Sequence, residues 1–225
     1  MAVQVNDQLA ATISNATDRF GAFASLAMHN ATNAALELKR TPEYDVFWQM
    51  VSDLDVPVYF HPRTSIQTIL NLSFSHAPFL IGPAQEFAVG LSTHILGLCT
   101  NGVFDRFPKL KIIVGHMGER IPSDLVRIDT QLKREIPFGL MMKQNVTTYF
   151  RKNIFETTSG NFAPDLLNFH IGQIGLDRIM YSIDYPFVNI PDGTAFINAL
   201  SRTMIPEDHN SLARGLAIKV LRLDD

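Results

Sequence analysis

His61, His116 and Asp184 each close a short run of β-formers and precede a turn. The three stretches are Val56-Pro57-Val58-Tyr59-Phe60-His61-Pro62-Arg63, Ile112-Ile113-Val114-Gly115-His116-Met117-Gly118-Glu119 and Ile179-Met180-Tyr181-Ser182-Ile183-Asp184-Tyr185-Pro186. Imidazole and carboxylate groups bind divalent cations and carry protons near neutral pH. In a parallel α/β sheet or barrel, the carboxyl ends of the strands converge on one face, and that face carries the active site. Two histidines and an aspartate gathered there predict a divalent metal with acid–base helpers.

The residues around them sharpen this reading. Gly115 and Gly118 let the backbone turn sharply and approach a ligand closely. The spacing from His116 predicts Glu119 on the first turn of the following helix, where a carboxylate can fix the imidazole tautomer. Asp184 ends an apolar strand, an unfavourable place for a carboxylate without a partner such as a metal or His116. The other histidines carry less. His76 and His94 read as packing or surface residues and His170 and His209 as helix-surface residues, while His29 follows a strand end without further support. Arg127, in Leu-Val-Arg-Ile-Asp, reads from pattern alone as an exposed salt-bridging residue on a helix.

Those positions need a scaffold of alternating strands and helices. Strands are predicted over Ala22–Ala27, Val56–Phe60, Leu110–Val114, Asn153–Thr157 and Arg178–Ile183. Helices are predicted over about Thr32–Arg40, Glu43–Leu54, Ala84–Cys99, Pro122–Arg134 and Pro164–Ile174, with short ones after Pro191 and Pro206. Alternation implies parallel strands joined by right-handed crossovers. Five strands fall short of the eight in a closed (β/α)₈ barrel. Alternation also breaks between Arg40 and Glu43, where two helices nearly abut. No repeat or linker divides the chain, so residues 1–225 are expected to form one domain.

Composition removes several classes of function. Hydrophobic residues make up 46% and charged residues 18%, ordinary for a soluble enzyme, and the net charge is −3. No basic run points to nucleic acid, and no apolar run is long enough to span a bilayer. Cys99 is the only cysteine, so no internal disulfide can form. Together with a start that lacks a signal-peptide pattern, this leads to an expected cytoplasmic location. The N-x-S/T triplets at Asn15, Asn30, Asn71 and Asn145 are then composition only.

Five ordered stretches resemble the metal-dependent amidohydrolase superfamily, in its branch of nonoxidative aromatic decarboxylases. They are Arg19-Phe-Gly-Ala-Phe-Ala-Ser-Leu-Ala-Met-His, Leu54-Asp-Val-Pro-Val-Tyr-Phe-His-Pro-Arg, Phe107-Pro-Lys-Leu-Lys-Ile-Ile-Val-Gly-His-Met-Gly-Glu-Arg-Ile-Pro, Glu156-Thr-Thr-Ser-Gly and Asp177-Arg-Ile-Met-Tyr-Ser-Ile-Asp-Tyr-Pro-Phe. Members of that branch include 2,3-dihydroxybenzoate, γ-resorcylate, salicylate and aminocarboxymuconate semialdehyde decarboxylases, and the flavour is that of the fungal ones.

The resemblance implies His61 and Asp184 as metal ligands and Asp184 as the acid that protonates the ring carbon. It implies His116 and Glu119 as the pair that orients Asp184 and passes protons. Arg127 and Phe187 become substrate-binding residues. A small aromatic carboxylic acid is the implied substrate, a divalent metal (zinc or manganese) the cofactor, and a homo-oligomer the assembly. The chain departs from this family at its start, where a strand ending in Glu-x-His or His-x-His should supply further ligands. The resemblance therefore implies an incomplete TIM-type (β/α)₈ barrel that lacks the first, second and fourth family strands. Weak or absent metal binding and doubtful activity follow as expectations. The other readings are a metal-dependent hydrolase of the same superfamily and a non-catalytic remnant that pairs with a full-length homologue.

Overall fold

The computed structural model describes residues 2–17, 19–25 and 43–223. Its centre is a parallel sheet of four strands in the order β1-β2-β3-β4, with β1 at Pro57–Phe60, β2 at Lys111–Val114, β3 at Ile154–Thr157 and β4 at Ile179–Met180. Sequence neighbours are also sheet neighbours, as repeated βα units arrange them. Phe60 pairs with Val114, Val114 with Glu156, and Thr157 with Met180, so the carboxyl ends of the strands lie side by side.

The helices are α1 (Ala2–Ile13), α2 (Glu43–Asp53), α3 (Gln67–Phe74), α4 (Glu86–Thr100), α5 (Leu125–Leu132), α6 (Val146–Lys152), α7 (Pro164–Ile174) and α8 (Ile190–Leu200), joined by shorter helical pieces. Side chains alternate across a strand, and parallel strands are covered on both faces. Ile112, Val114, Ile154 and Ile179 meet Trp48, Ile95, Leu98, Phe104, Leu125, Phe150 and Leu167 in the larger core. Ile113, Phe155 and Met180 face the other way, against Leu216 and Val220 of the helical turn Leu216–Leu221.

Several expectations hold closely. The helix over Pro164–Ile174 matches its predicted bounds, and α2, β1, β2 and β3 match within one or two residues. The helix expected from Ala84 begins at Glu86, because Gly82 takes φ +86° and the Glu86 carboxylate accepts the N–H groups of Gly82 and Ser65.

Other expectations are corrected. No strand forms at residues 22–25; there Ser25 donates its N–H to Asn6 of α1 instead of to a ladder. Leu26, Ala27, His29 and the helix expected over Thr32–Arg40 lie outside the described residues. The sheet therefore has four strands among the described residues, against five expected. The strand expected over Arg178–Ile183 shrinks to two residues. Beyond it Tyr181 donates to the Leu212 carbonyl, and Ser182 exchanges its N–H and C=O with the Thr158 hydroxyl rather than with backbone. The helix expected over Pro122–Arg134 splits into a 3₁₀ turn at Ile121–Asp124, α5, and a second 3₁₀ turn at Lys133–Phe138.

The largest correction is His170. It is fully buried rather than on a helix surface, with its ring inserted between Glu156 and Ser123. His209 is half-buried and hydrogen-bonds the Ile197 carbonyl. His94 is half-buried and packs edge-on against Phe60, as a packing residue would.

Candidate metal and proton-transfer site

β1 ends at Phe60, and His61 follows at once. Its Nδ1 lies 2.7 Å from the Pro62 carbonyl, a contact in which Nδ1–H donates, leaving the Nε2 lone pair outward. β2 ends at Val114, and the next residues form a left-handed turn rather than the start of a right-handed helix. His116, Met117, Gly118, Glu119 and Arg120 all have φ between +50° and +68°. Glu119 therefore does not lie on the first turn of the following helix; it belongs to the left-handed turn, and the 3₁₀ turn Ile121–Asp124 separates it from α5. The segment after β4 brings Asp184, at φ +79°, toward the same place. Gly160, after β3, makes room for it: a Cβ there would lie 3.6 Å from Asp184 Oδ2 and 3.2 Å from Val188.

The outcome is convergence. Ligand atoms of His61, His116 and Asp184 all lie within 4.8 Å of one another, with His61 exposed and the other two half-buried. Burial holds the His116 imidazole below its usual pKa, opposed by Asp184 and helped by His61, so a neutral ring is favoured. Glu119 is 4% exposed, and its Oε1 has no hydrogen-bond partner among the described residues. Burial pushes its carboxyl up to about 7, with Arg120 opposing and Asp184 adding to the rise. Two imidazoles and a carboxylate from three strand ends fit a divalent cation, because catalytic sites commonly use three such protein ligands.

Arg127 and Phe187 stand differently. Phe187 is 81% exposed, and its N–H bonds the Asp184 carbonyl, which places it beside the cluster. Arg127 is exposed on α5 and lines a surface depression with Ser123, Asp124, Phe169 and Gln173. None of the three clustered residues contributes to that depression.

A family model described as "Amidohydrolase" matches residues 40–223. This chain belongs to the amidohydrolase family. Among its relatives is a γ-resorcylate decarboxylase of Rhizobium radiobacter, 34% identical over an alignment covering 100% of this chain and 76% of the relative. That alignment runs over 253 residues against 225 in this amidohydrolase, so the relative carries internal residues that have no counterpart here. The solved structure of a 2,6-dihydroxybenzoate decarboxylase complexed with 2,6-dihydroxybenzoate superposes with a TM-score of 0.88 at 34% identity, covering 100% of this chain and 77% of that one. A dihydroxybenzoic acid decarboxylase of Polaromonas, solved with manganese and 2-nitroresorcinol, gives 0.88 at 32% identity, covering 100% and 75%. Among the described residues, no helix of this amidohydrolase is long and apolar enough to cross a membrane.

Two expected results belong to the turn. At Gly118, a Cβ would come within 2.7 Å of Glu156 Oε2 and 3.0 Å of Pro122 Cδ, at φ +62°. Gly118→Ala is therefore expected to lower stability by about 2 kcal/mol or more, read as a shift of the denaturation midpoint without a change in slope. Glu119 gives a pH dependence in the metal-free chain. Its folded carboxyl titrates near 7, above the ordinary glutamate value of 4.5. Between those values the unfolded chain releases a proton that the folded chain keeps. Stability from this group is thus greatest below about pH 4.5, falls as pH rises to 7, and levels off above. Glu119→Gln should flatten that slope in denaturation measured from pH 5 to 8.

Proposed function

We propose that this amidohydrolase removes carbon dioxide, without oxidation, from a small hydroxylated aromatic acid of the dihydroxybenzoate type. The observation that carries the reading is the convergence of His61, His116 and Asp184 at the strand carboxyl ends. Support also comes from relatives named as γ-resorcylate and 2,6-dihydroxybenzoate decarboxylases along the whole chain. His61 and Asp184 would hold a divalent cation, manganese or zinc. Bound there, the cation would supply positive charge that orients the substrate carboxylate and neighbouring phenolic oxygen.

The chain's own groups handle the proton. Glu119, whose carboxyl is raised by burial to about 7 and so still carries a proton part of the time near neutral pH, is a reserve beside Asp184, and the neutral His116 can pass the proton on. Asp184 delivers it to the ring carbon that bears the carboxylate. A C–H bond forms, the C–C bond to the carboxylate breaks, and its electron pair restores the aromatic ring as carbon dioxide leaves. Phe187 would line the ring side of the pocket, and Arg127 would reach a substrate only from a neighbouring copy in a homo-oligomer.

We also read residues 1–225 as a single domain, an incomplete (β/α)₈ barrel missing the first, second and fourth strands of its relatives. On that reading the cation is held weakly and turnover is slow. The test is direct: the purified chain is given Mn²⁺ and 2,6-dihydroxybenzoate, and loss of substrate and release of carbon dioxide are followed. Turnover abolished by a chelator and by His61→Ala supports the proposal. Mn²⁺ bound without any carbon dioxide released, or hydrolysis of an aryl lactone instead, overturns it.

A further inference from the structure

Away from the clustered ligands, a hydrogen-bonded line runs from the surface into the core. The exposed Ser123 shares a 3.0 Å hydrogen bond with His170 Nε2. The other ring nitrogen, Nδ1, lies 2.9 and 3.1 Å from the two carboxylate oxygens of Glu156, and both His170 and Glu156 are 0% exposed. Ser123 belongs to the 3₁₀ turn Ile121–Asp124, His170 to α7 and Glu156 to β3. Three elements are tied by one line of directional bonds.

The line meets the left-handed turn at two points. Ser123 donates its N–H to the Arg120 carbonyl, at the turn's exit. Glu156 Oε2 lies beneath Gly118, at the turn's middle. Such a turn needs holding. A left-handed conformation costs a non-glycine residue roughly 1–2 kcal/mol, and four of residues 116–120 are not glycine. Strain of this kind persists only where surrounding structure over-determines it. A buried carboxylate–imidazole pair is also a poor source of net stability compared with apolar side chains of similar size. What the line offers here is direction.

We propose that Glu156, His170 and Ser123 are positioning residues that hold the 116–120 turn, and through it His116 and Glu119, in place. The inference rests on the reading of that turn as part of the functional site. Its closing experiment separates the two. The double variant Glu156→Leu/His170→Phe replaces the pair with apolar groups and keeps the core filled. Ser123→Ala removes only the outer hydroxyl. Glu156→Gln keeps the hydrogen-bonding shape without the charge.

Amide hydrogen exchange and the methyl resonance of the buried Met117 are recorded on the metal-free chains, and Mn²⁺ affinity is measured separately. The double variant should keep core protection in β2 and β3. Its 116–120 amides should exchange roughly tenfold faster or more, and Mn²⁺ should bind roughly ten- to a hundredfold more weakly, as when groups supporting a ligand are lost. Ser123→Ala should move both in the same direction by less, and Glu156→Gln should restore turn protection. Unchanged exchange at 116–120 in a folded double variant overturns the proposal. If the double variant does not fold, unchanged turn exchange in Ser123→Ala overturns it and faster exchange there supports it. If the unaltered chain binds no Mn²⁺, the functional reading fails, and the exchange data still decide the positioning role.

Discussion

Asp184→Asn is expected to weaken Mn²⁺ binding on the order of a hundredfold, with circular dichroism and thermal midpoint nearly unchanged. The choice of asparagine matters. Asp184 sits at φ +79°, a conformation asparagine tolerates and alanine does not, so the backbone survives the change. What is lost is one negative charge within 4.8 Å of two imidazole ligand atoms. Charge count at a cation site sets affinity over several orders of magnitude. Titration followed by electron paramagnetic resonance of free Mn²⁺ reads the effect. Binding equal to that of the unaltered chain would remove Asp184 from the site.

His170→Ala is expected to be the most destabilising single change. It leaves the Glu156 carboxylate at 0% exposure without its partner. Breaking a buried pair from one side costs about 3–5 kcal/mol, which for a chain of this size lowers the thermal midpoint by roughly 10 °C. The deficit should shrink on acidification. Burial already raises the Glu156 carboxyl, while the His170 contact holds it down, so removing the imidazole raises it further. A raised acid favours the folded state at low pH and loses that stability as pH climbs through the folded value. A scan of thermal midpoints from pH 4.5 to 8 checks both size and sign. A midpoint unchanged at all pH values would mean that solvent enters and pairs with Glu156.

Strand ends were legible in the sequence because two signals coincide there. A β-former run stops, and a histidine or aspartate precedes a glycine or proline. That coincidence located His61, His116 and Asp184 and the sheet that aligns them. The left-handed turn was not legible. Gly118 announced a bend, but nothing in His116, Met117 or Glu119 says that all three adopt positive φ, since the turn packs on Glu156 from a distant strand as well as on the adjoining Pro122 and Ser123.

His170 could have been found. Leu167, His170 and Ile174 fall at helical spacing, and Leu167 and Ile174 are buried, so His170 occupies an apolar stripe. Reading it as a surface residue let polarity outweigh position. Glu156 is the mirror case, a charged residue within a strand buried at every position, which is tolerable only with a partner. The shortened β4 was hidden because Thr158 takes over the backbone partners of Ser182, a substitution that side-chain pattern does not encode.

The two faces of the sheet are anchored unequally. Among the described residues, one face is locked by several helices, while Ile113, Phe155 and Met180 on the other rely on Leu216, Val220 and a few half-buried neighbours. A folded chain opens first where the fewest apolar contacts must part. Of the segments packed on the sheet, Leu216–Leu221 is therefore the one that lifts away first, and a protease under native conditions should nick near it before any strand. Each such opening bares a greasy surface beside β4, so the concentration at which this chain stays dispersed depends on that last helical turn more than on the well-filled core.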